Sequence, residues 1–307
     1  MKRMDSEVVA LLPEGRYEIA KVLTRGGLGT IYRGRDLLTG KDVVLKFLYL
    51  TSSEAFSRTE REIAIVKQLG DAPNIVAFVE GYLSPDAESA ILVFEWINGP
   101  SLRTIINANP DGLPKKVTAA TTRQLCRGLL YLHQHGVIHR DIKPDNVLIT
   151  KQGTVKLCDF GIAILATHNT LTSNITASGS FVGTLRYAAP EMVDSQHYGP
   201  ASDIYALAIT VLEMLGWHPH PDSSVFILLK EILSGAVVEE LPQALKAEWG
   251  ELLLPTLDVQ PDRRPSADAL LQILEKAFPA GGSSDEAVIA DFLRTCVGFS
   301  DDCFGAS

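Results

Sequence analysis

The chain has 307 residues, 46% of them hydrophobic and 21% charged, which is the make-up of a soluble globular protein with room for one large domain or two lobes. A net charge of −9 and a pI near 5.3 argue against nucleic acid as a bulk partner, because phosphate contacts need clustered Lys and Arg. No apolar run approaches the ~18 residues that span a bilayer, Asp5 and Glu7 interrupt any secretory leader, and the four cysteines (126, 158, 296 and 303) lack zinc-ligand spacing, so a cytoplasmic protein with reduced thiols and no membrane partner is expected. No internal repeat is visible.

Residues 1–13 read as a short leader ending at Pro13. Tyr17–Leu23 reads as a strand and Ile31–Asp36 as its return, with Thr24-Arg25-Gly26-Gly27-Leu28-Gly29 between them. Glycines there allow backbone N–H groups to approach phosphate oxygens, although a hairpin turn has the same look. Thr39-Gly40-Lys41 is a turn with Gly40 free to take a positive φ. In the following strand, Asp42–Leu48, alternation places Val44 and Lys46 on one face and Leu45 and Phe47 on the other. A Lys in such a run is either an edge residue facing water or a buried cation with a partner.

Glu54–Leu69 reads as a helix closed by Gly70. At ~100° per residue Glu62 points within about 40° of Val66 and Leu69, and a carboxylate centred on an apolar stripe is costly unless paired. Glu62 thus either reaches water at the stripe edge or pairs with a cation. Ile91–Ile97 reads as a buried strand ending at Asn98-Gly99-Pro100. A long helix is predicted from Lys115 to His135, with Val117, Thr121, Leu125, Leu129 and Leu132 on one stripe and Gly136 as its cap.

That helix delivers the chain to His139-Arg140-Asp141-Ile142-Lys143-Pro144-Asp145-Asn146, around which the rest is organised. Asp141 is a carboxylate able to accept a hydroxyl proton, Lys143 a cation able to neutralise a moving phosphoryl group, and Asn146 an oxygen ligand for a hard cation. A second carboxylate, Asp159, opens Asp159-Phe160-Gly161 after the apolar run Val155–Cys158. The set suits in-line phosphoryl transfer. With Ala189-Pro190-Glu191 downstream, the chain resembles the protein kinases, over roughly residues 14–278.

The resemblance implies an α+β fold of two lobes: a small antiparallel sheet with one key helix (14–95) above a mainly α-helical lobe (96–278). The composition of the remainder reads as a flexible acidic tail (279–307), with a joint at Ala280–Ser284 and Glu286–Thr295 as a candidate short helix. The resemblance also implies ATP and Mg²⁺ in the cleft, with Gly26, Gly27, Gly29 and Ile31 over the phosphates. Thr24 replaces the first glycine of the family's loop. Val44 would lie against adenine, Lys46 on the phosphates with Glu62 as its ion-pair partner, Phe94 as gatekeeper, Glu95 and Ile97 as backbone partners of adenine, and Leu148 as the floor. Asp141 and Lys143 would be catalytic, and Asn146 and Asp159 would bind metal; His139 would be structural.

The segment from Asp159 to Glu191 is dense in hydroxyls. Arg140 would receive a phosphate from it, with Thr172 and Thr176 as the candidate sites, and Thr184 would hydrogen-bond Asp141 and Lys143. Asp203, at the start of a helix carrying Ile204, Leu207, Ala208, Val211, Leu212 and Leu215, would cap that helix, brace the catalytic loop, or do both. Arg264 would pair with Glu191. Trp217-His218-Pro219-His220-Pro221 reads as a rigid loop rather than a metal site. Lys143 within IKPDN resembles the Ser/Thr-directed members, and the compact core resembles bacterial eukaryotic-like kinases. The implied function is transfer of the γ-phosphoryl of ATP to protein Ser/Thr hydroxyls, including the chain's own segment. The rivals are a pseudokinase scaffold and a small-molecule phosphotransferase.

Overall fold

A computed structural model describes residues 11–26, 29–159, 185–194, 198–219 and 224–296, apart from the side chains of Arg58 and Glu62. Five strands form an antiparallel sheet of order β1-β2-β3-β5-β4: β1 (Tyr17–Gly26), β2 (Gly29–Asp36), β3 (Asp42–Tyr49), β4 (Phe78–Leu83) and β5 (Ser89–Glu95). Between β3 and β4 lies α1 (Ser53–Gln68), capped by the Ser52 hydroxyl, which accepts from the Ala55 N–H at 3.1 Å. Gly40 takes φ 69° at the β2–β3 turn, as its position predicts. Alternation in β3 buries Val43, Leu45 and Phe47 and leaves Val44 and Lys46 half-buried on the opposite face.

The second lobe is helical. It contains α2 (Leu102–Asn107), α3 (Lys115–Gln134), a one-turn 3₁₀ helix (Pro144–Asn146), a small hairpin of β6 (Val147–Ile149) and β7 (Val155–Leu157), α4 (Pro190–Asp194) and α5 (Pro200–Met214). Beyond these come α6 (Val225–Ser234), α7 (Ala236–Glu240), α8 (Gln243–Thr256), α9 (Ala267–Ala277) and α10 (Asp285–Thr295). One large apolar cluster fills this lobe, and two smaller ones lie on the two faces of the sheet. α3 and α5 are buried nearly all round rather than along one stripe, because α9 and α10 cover α3 from outside and α5 runs through the lobe's centre.

Three expectations from the sequence are corrected. Leu11 and Leu12 already pack on the sheet, so the leader ends before Pro13. Residues 285–295 form a helix, as the candidate at Glu286–Thr295 allowed, but it is docked on α3 and not part of a flexible tail. Ile289, Ala290 and Leu293 are buried there, and the Asp285 carboxylate is buried between Arg123 (2.6 Å) and Arg127 (2.8 Å). A Cβ on Gly153, at the β6–β7 turn, would fall 2.0 Å from the Glu286 carbonyl oxygen, so helix and hairpin touch through backbone. Thirdly, Asp203 does not cap α5; Gly199 occupies the cap position and Asp203 bonds elsewhere.

Candidate active site

The β6–β7 hairpin and the loop entering it carry most of the polar groups. Asp203 on α5, 1% exposed, accepts from the backbone N–H of His139 at 2.9 Å and of Arg140 at 2.8 Å, and lies 2.9 Å from His133 Nε2. These bonds hold Arg140 at φ 71°, a left-handed conformation that a residue with a Cβ adopts only under constraint. Asp159, at the other end of the hairpin, is likewise left-handed at φ 60°. Two strained positions thus flank the loop, and both precede or carry a carboxylate.

His139 joins the two ends. Its Nε2–H donates to the Cys158 carbonyl at 3.0 Å, so Nδ1 carries the lone pair and accepts weakly from the Asp141 N–H at 3.4 Å. Burial lowers its pKa, outweighing the pull of Asp203, Asp141 and Asp159, and the ring is neutral. Both nitrogens face backbone, which suits a positioning histidine.

Lys143 Nζ lies 2.7 and 3.0 Å from the two Asp141 carboxylate oxygens. The Asn146 amide nitrogen donates to the Asp141 carbonyl at 2.8 Å and to its carboxylate at 2.7 Å. With that nitrogen committed to two oxygens, Asn146 has its Oδ1 for a cation. Lys46 Nζ reaches Asp159 Oδ1 at 3.0 Å. The Lys46 ammonium holds the Asp159 carboxyl below its ordinary range, against the opposing effect of burial. The structure therefore gathers Lys46, the loop residues Asp141, Lys143 and Asn146, and Asp159 from three places in the chain.

They meet beside a cleft of about 350 Å³ lined by Ile31, Val44, Phe94, Glu95, Ile97, Leu148 and Asp159. Leu23, Thr24, Val76 and Cys158 also line its wall, and Trp96, Gly99, Pro100, Ser101, Thr104 and Asp145 its rim; of these, sequence reasoning assigned none to it except through the strand and loop around the glycines. A wider depression of about 680 Å³ on the outer side of the sheet, by Arg35, Lys41 and Trp96, holds none of the catalytic candidates. The Glu95 N–H donates to the Ala77 carbonyl at 2.9 Å, leaving its carbonyl as the group able to face a base. Its side chain does something unforeseen: it accepts from Ala77 N–H and Lys156 Nζ, both at 2.8 Å, and ties the inter-lobe segment to β7. Gly29 is required by packing, since a Cβ there would fall 1.8 Å from the Phe47 carbonyl oxygen.

Glu191 and Arg264 form a fork-to-fork pair, both contacts 2.8 Å, with the Arg264 side chain fully buried. Burial is the largest single influence and raises the Glu191 pKa, but the hydrogen bonds and charge of Arg264, with a backbone N–H and the Ser202 hydroxyl, together lower it below the ordinary value. Gly27, Thr172, Thr176 and Thr184 lie outside the described residues, as do the surroundings of Gly26 and the Glu62 side chain. Lys46 is paired with Asp159, and the expected Glu62 contact is outside the described residues. His218 is exposed and His220 outside the described residues. Among the described residues, no group of three His, Cys, Asp or Glu side chains is placed to hold a metal, and no helix is long and apolar enough to cross a membrane.

A family model described as the protein kinase domain matches residues 17–274. The chain belongs to the protein kinase domain family. Within that family, the kinase domain described here is 32% identical over 266 residues to serine/threonine-protein kinase 1 of Arabidopsis thaliana, covering 85% of the chain and 30% of that protein. It is 37% identical over 216 residues to cell division control protein 7 of Schizosaccharomyces pombe, covering 68% of the chain and 19% of that protein. The kinase domain thus spans less than a third of either relative's length. Its five-stranded antiparallel sheet and helical second lobe are the two-lobe kinase architecture.

Proposed function

We propose that this kinase domain transfers the γ-phosphoryl group of ATP to Ser and Thr hydroxyls of protein substrates. The observation that carries the reading is the contact set Asp141–Lys143–Asn146 and Lys46–Asp159 at one end of an apolar cleft. Ile31, Val44 and Leu148 supply flat apolar contact for a base, and the Glu95 carbonyl and Ile97 N–H an edge to read it. Lys46 neutralises phosphate charge, and Glu62 is its second partner. The amides of Gly26, Gly27 and Gly29 face the phosphates, and Phe94 closes the back of the cleft. Asp141 orients and deprotonates the acceptor hydroxyl, and Lys143 stabilises the transferring group.

Magnesium fits this donor set. Asn146 Oδ1 and the Asp159 carboxylate are hard oxygen donors of the kind taken by a cation also held by phosphates, and among the described residues no group of three His, Cys, Asp or Glu side chains forms a cage of its own. When bound, it would neutralise phosphate charge. The Ser/Thr preference is supported by Lys143 within IKPDN and by the names of the relatives.

Arg140 Nε and Nη1 are buried without a hydrogen-bond partner among the described residues, with the guanidinium over the Tyr198 ring at 5.4 Å. A buried cation with open donors is suited to a phosphate, and Thr172 and Thr176 are the proposed sources by autophosphorylation. Thr184 is proposed to bond Asp141 and Lys143. Protein substrates are the proposed partners, and the cytoplasm the proposed compartment.

The test is incubation of purified protein with labelled ATP, Mg²⁺ and a generic protein acceptor, beside Asp141→Asn. Transfer to Ser/Thr by the wild type alone is expected. Absence of transfer with intact nucleotide binding would indicate a scaffold, and turnover of an alcohol or aminosugar alone would indicate a small-molecule phosphotransferase.

A further inference from the structure

One cation beside the catalytic loop plays no part in the chemistry above. Arg103, on the first turn of α2, sends its guanidinium to three elements at once. Nε–H donates to Asp145 Oδ2 at 3.3 Å, Nη1 lies 2.8 Å from Glu213 Oε2, and Nη2–H donates to the Tyr187 hydroxyl. Tyr187 in turn donates to Glu213 Oε1 at 2.9 Å. His218 Nδ1 lies 3.9 Å from that same oxygen at the outer edge. Asp145 belongs to the 3₁₀ turn of the catalytic loop, Glu213 to α5, and Tyr187 to the stretch running into α4.

The position of this knot matters. Asp145 lies four residues from Asp141 and, with Thr104, lines the rim of the nucleotide cleft. Tyr187 and Leu185 line a small cavity together with Asp141. A polypeptide whose hydroxyl reaches Asp141 must therefore cross the surface that Asp145 and Tyr187 border. Stripped of Arg103, that surface would show a half-exposed carboxylate, Asp145, in front of a nearly buried one, Glu213 (side chains 50% and 8% exposed). Two carboxylates and a phenol oxygen facing one gap form a receptor for a planar cation with several N–H donors.

We propose that Arg103 is a built-in occupant of an acidic subsite beside the acceptor, and that it sets this kinase domain against substrates with Arg or Lys flanking the phosphorylated residue. The proposal rests on the protein-kinase reading above and assigns its substrate class: segments that are neutral or acidic around the hydroxyl. The tether keeps the internal guanidinium at a high effective concentration, which a substrate side chain in dilute solution does not match. Arg103 retains a quarter of its side-chain surface, so its outer edge adds a repulsive charge for an incoming cation.

The test compares the wild type with Arg103→Ala on a peptide set in which each position flanking one acceptor is Arg, Ala or Glu. For the wild type, kcat/KM of each Arg peptide is expected at or below its Ala counterpart. For Arg103→Ala the Arg/Ala ratio is expected to rise about tenfold or more at one position, and the rise to vanish in Arg103→Ala/Asp145→Asn/Glu213→Gln. A wild type that already prefers Arg at a flanking position by that factor overturns the proposal, as does a folded, active Arg103→Ala with an unchanged profile. A second arm needs no catalysis: guanidinium chloride or N-acetyl-arginine amide, at millimolar concentration, should raise the Tm of Arg103→Ala saturably and leave the wild type unmoved. If the wild type phosphorylates nothing, the kinase reading fails while this arm still decides whether the subsite exists, and absence of binding overturns it. Should Arg103→Ala not fold, Arg103→Met keeps the packing of the stem and takes its place in both arms.

Discussion

Asp203→Asn and Asp203→Ala test how the catalytic loop is held. The wild-type carboxylate, 1% exposed, accepts two backbone N–H bonds at 2.8 and 2.9 Å and lies 2.9 Å from His133 Nε2. Removing it strands two buried N–H groups at about 1–3 kcal/mol each, partly offset by no longer burying a charge, so Asp203→Ala is expected to cost about 3–5 kcal/mol. That is a large share of the ~5–15 kcal/mol that holds a domain together. Asp203→Asn keeps one acceptor oxygen and turns an amide N–H toward a donor, for about 1–3 kcal/mol. The loss also frees Arg140 from φ 71°, one residue before Asp141. A displacement of about 1 Å there should lower kcat roughly 10²-fold, with KM for ATP changed by less than about threefold because the base-binding wall stands on other elements. Urea unfolding and steady-state phosphoryl transfer measure both. An Asp203→Asn protein with unaltered stability and kcat, or one whose KM rises as kcat falls, would refute the reasoning.

Lys46→Met should let the Asp159 carboxyl titrate closer to the ordinary carboxylate range, visible by NMR of labelled aspartate, since Lys46 is the main cause of its lowering. The wild-type pKa is depressed, so the pair's contribution is full above pH ~4 and lost as pH falls through the folded-state value. An unmoved titration would exclude the contact. Glu191→Gln leaves the buried Arg264 unneutralised and should cost about 3–5 kcal/mol near neutrality. Because the Glu191 pKa is lowered, the gap from wild type should close as pH drops below ~4.5; a pH-independent gap would contradict this. Gly153→Ala must move α10 off the hairpin turn and adopt φ 83°, and about 2–3 kcal/mol of destabilisation is expected by chemical denaturation. A neutral Gly153→Ala would mean that α10 is not seated there.

Much of the site was legible because its chemistry is written in residue types at short spacing. Asp141, Lys143 and Asn146 lie within six residues of one loop, so their order alone implied a carboxylate, a cation and an amide oxygen close together, and Lys143 and Asn146 are both found on Asp141. Lys46 was legible as a misfit in an apolar strand. Its contact with Asp159 was not legible from spacing: the two are 113 residues apart, and only the stacking of the two lobes brings them to 3.0 Å. Asp203 at a helix start read equally as a cap and a brace, and the backbone N–H groups it serves lie 63 and 64 residues upstream.

What the order of residues determined without help is local: which segments are strands and helices, and which loop carries the reactive groups. Periodicity and adjacent side chains act over a few ångströms of chain. What the tertiary structure alone decided is the pairing of distant charges that no motif marks, unlike Glu191 and Arg264, whose pairing the family resemblance implied. Arg103 was silent in the sequence, since one Arg on a short helix has no pattern, and its three partners come from separate elements. Asp285 read as part of an acidic tail until α3 presented two guanidinium groups to it. A buried charge must be matched wherever the fold leaves it, and the match is made across space, where sequence spacing carries no record.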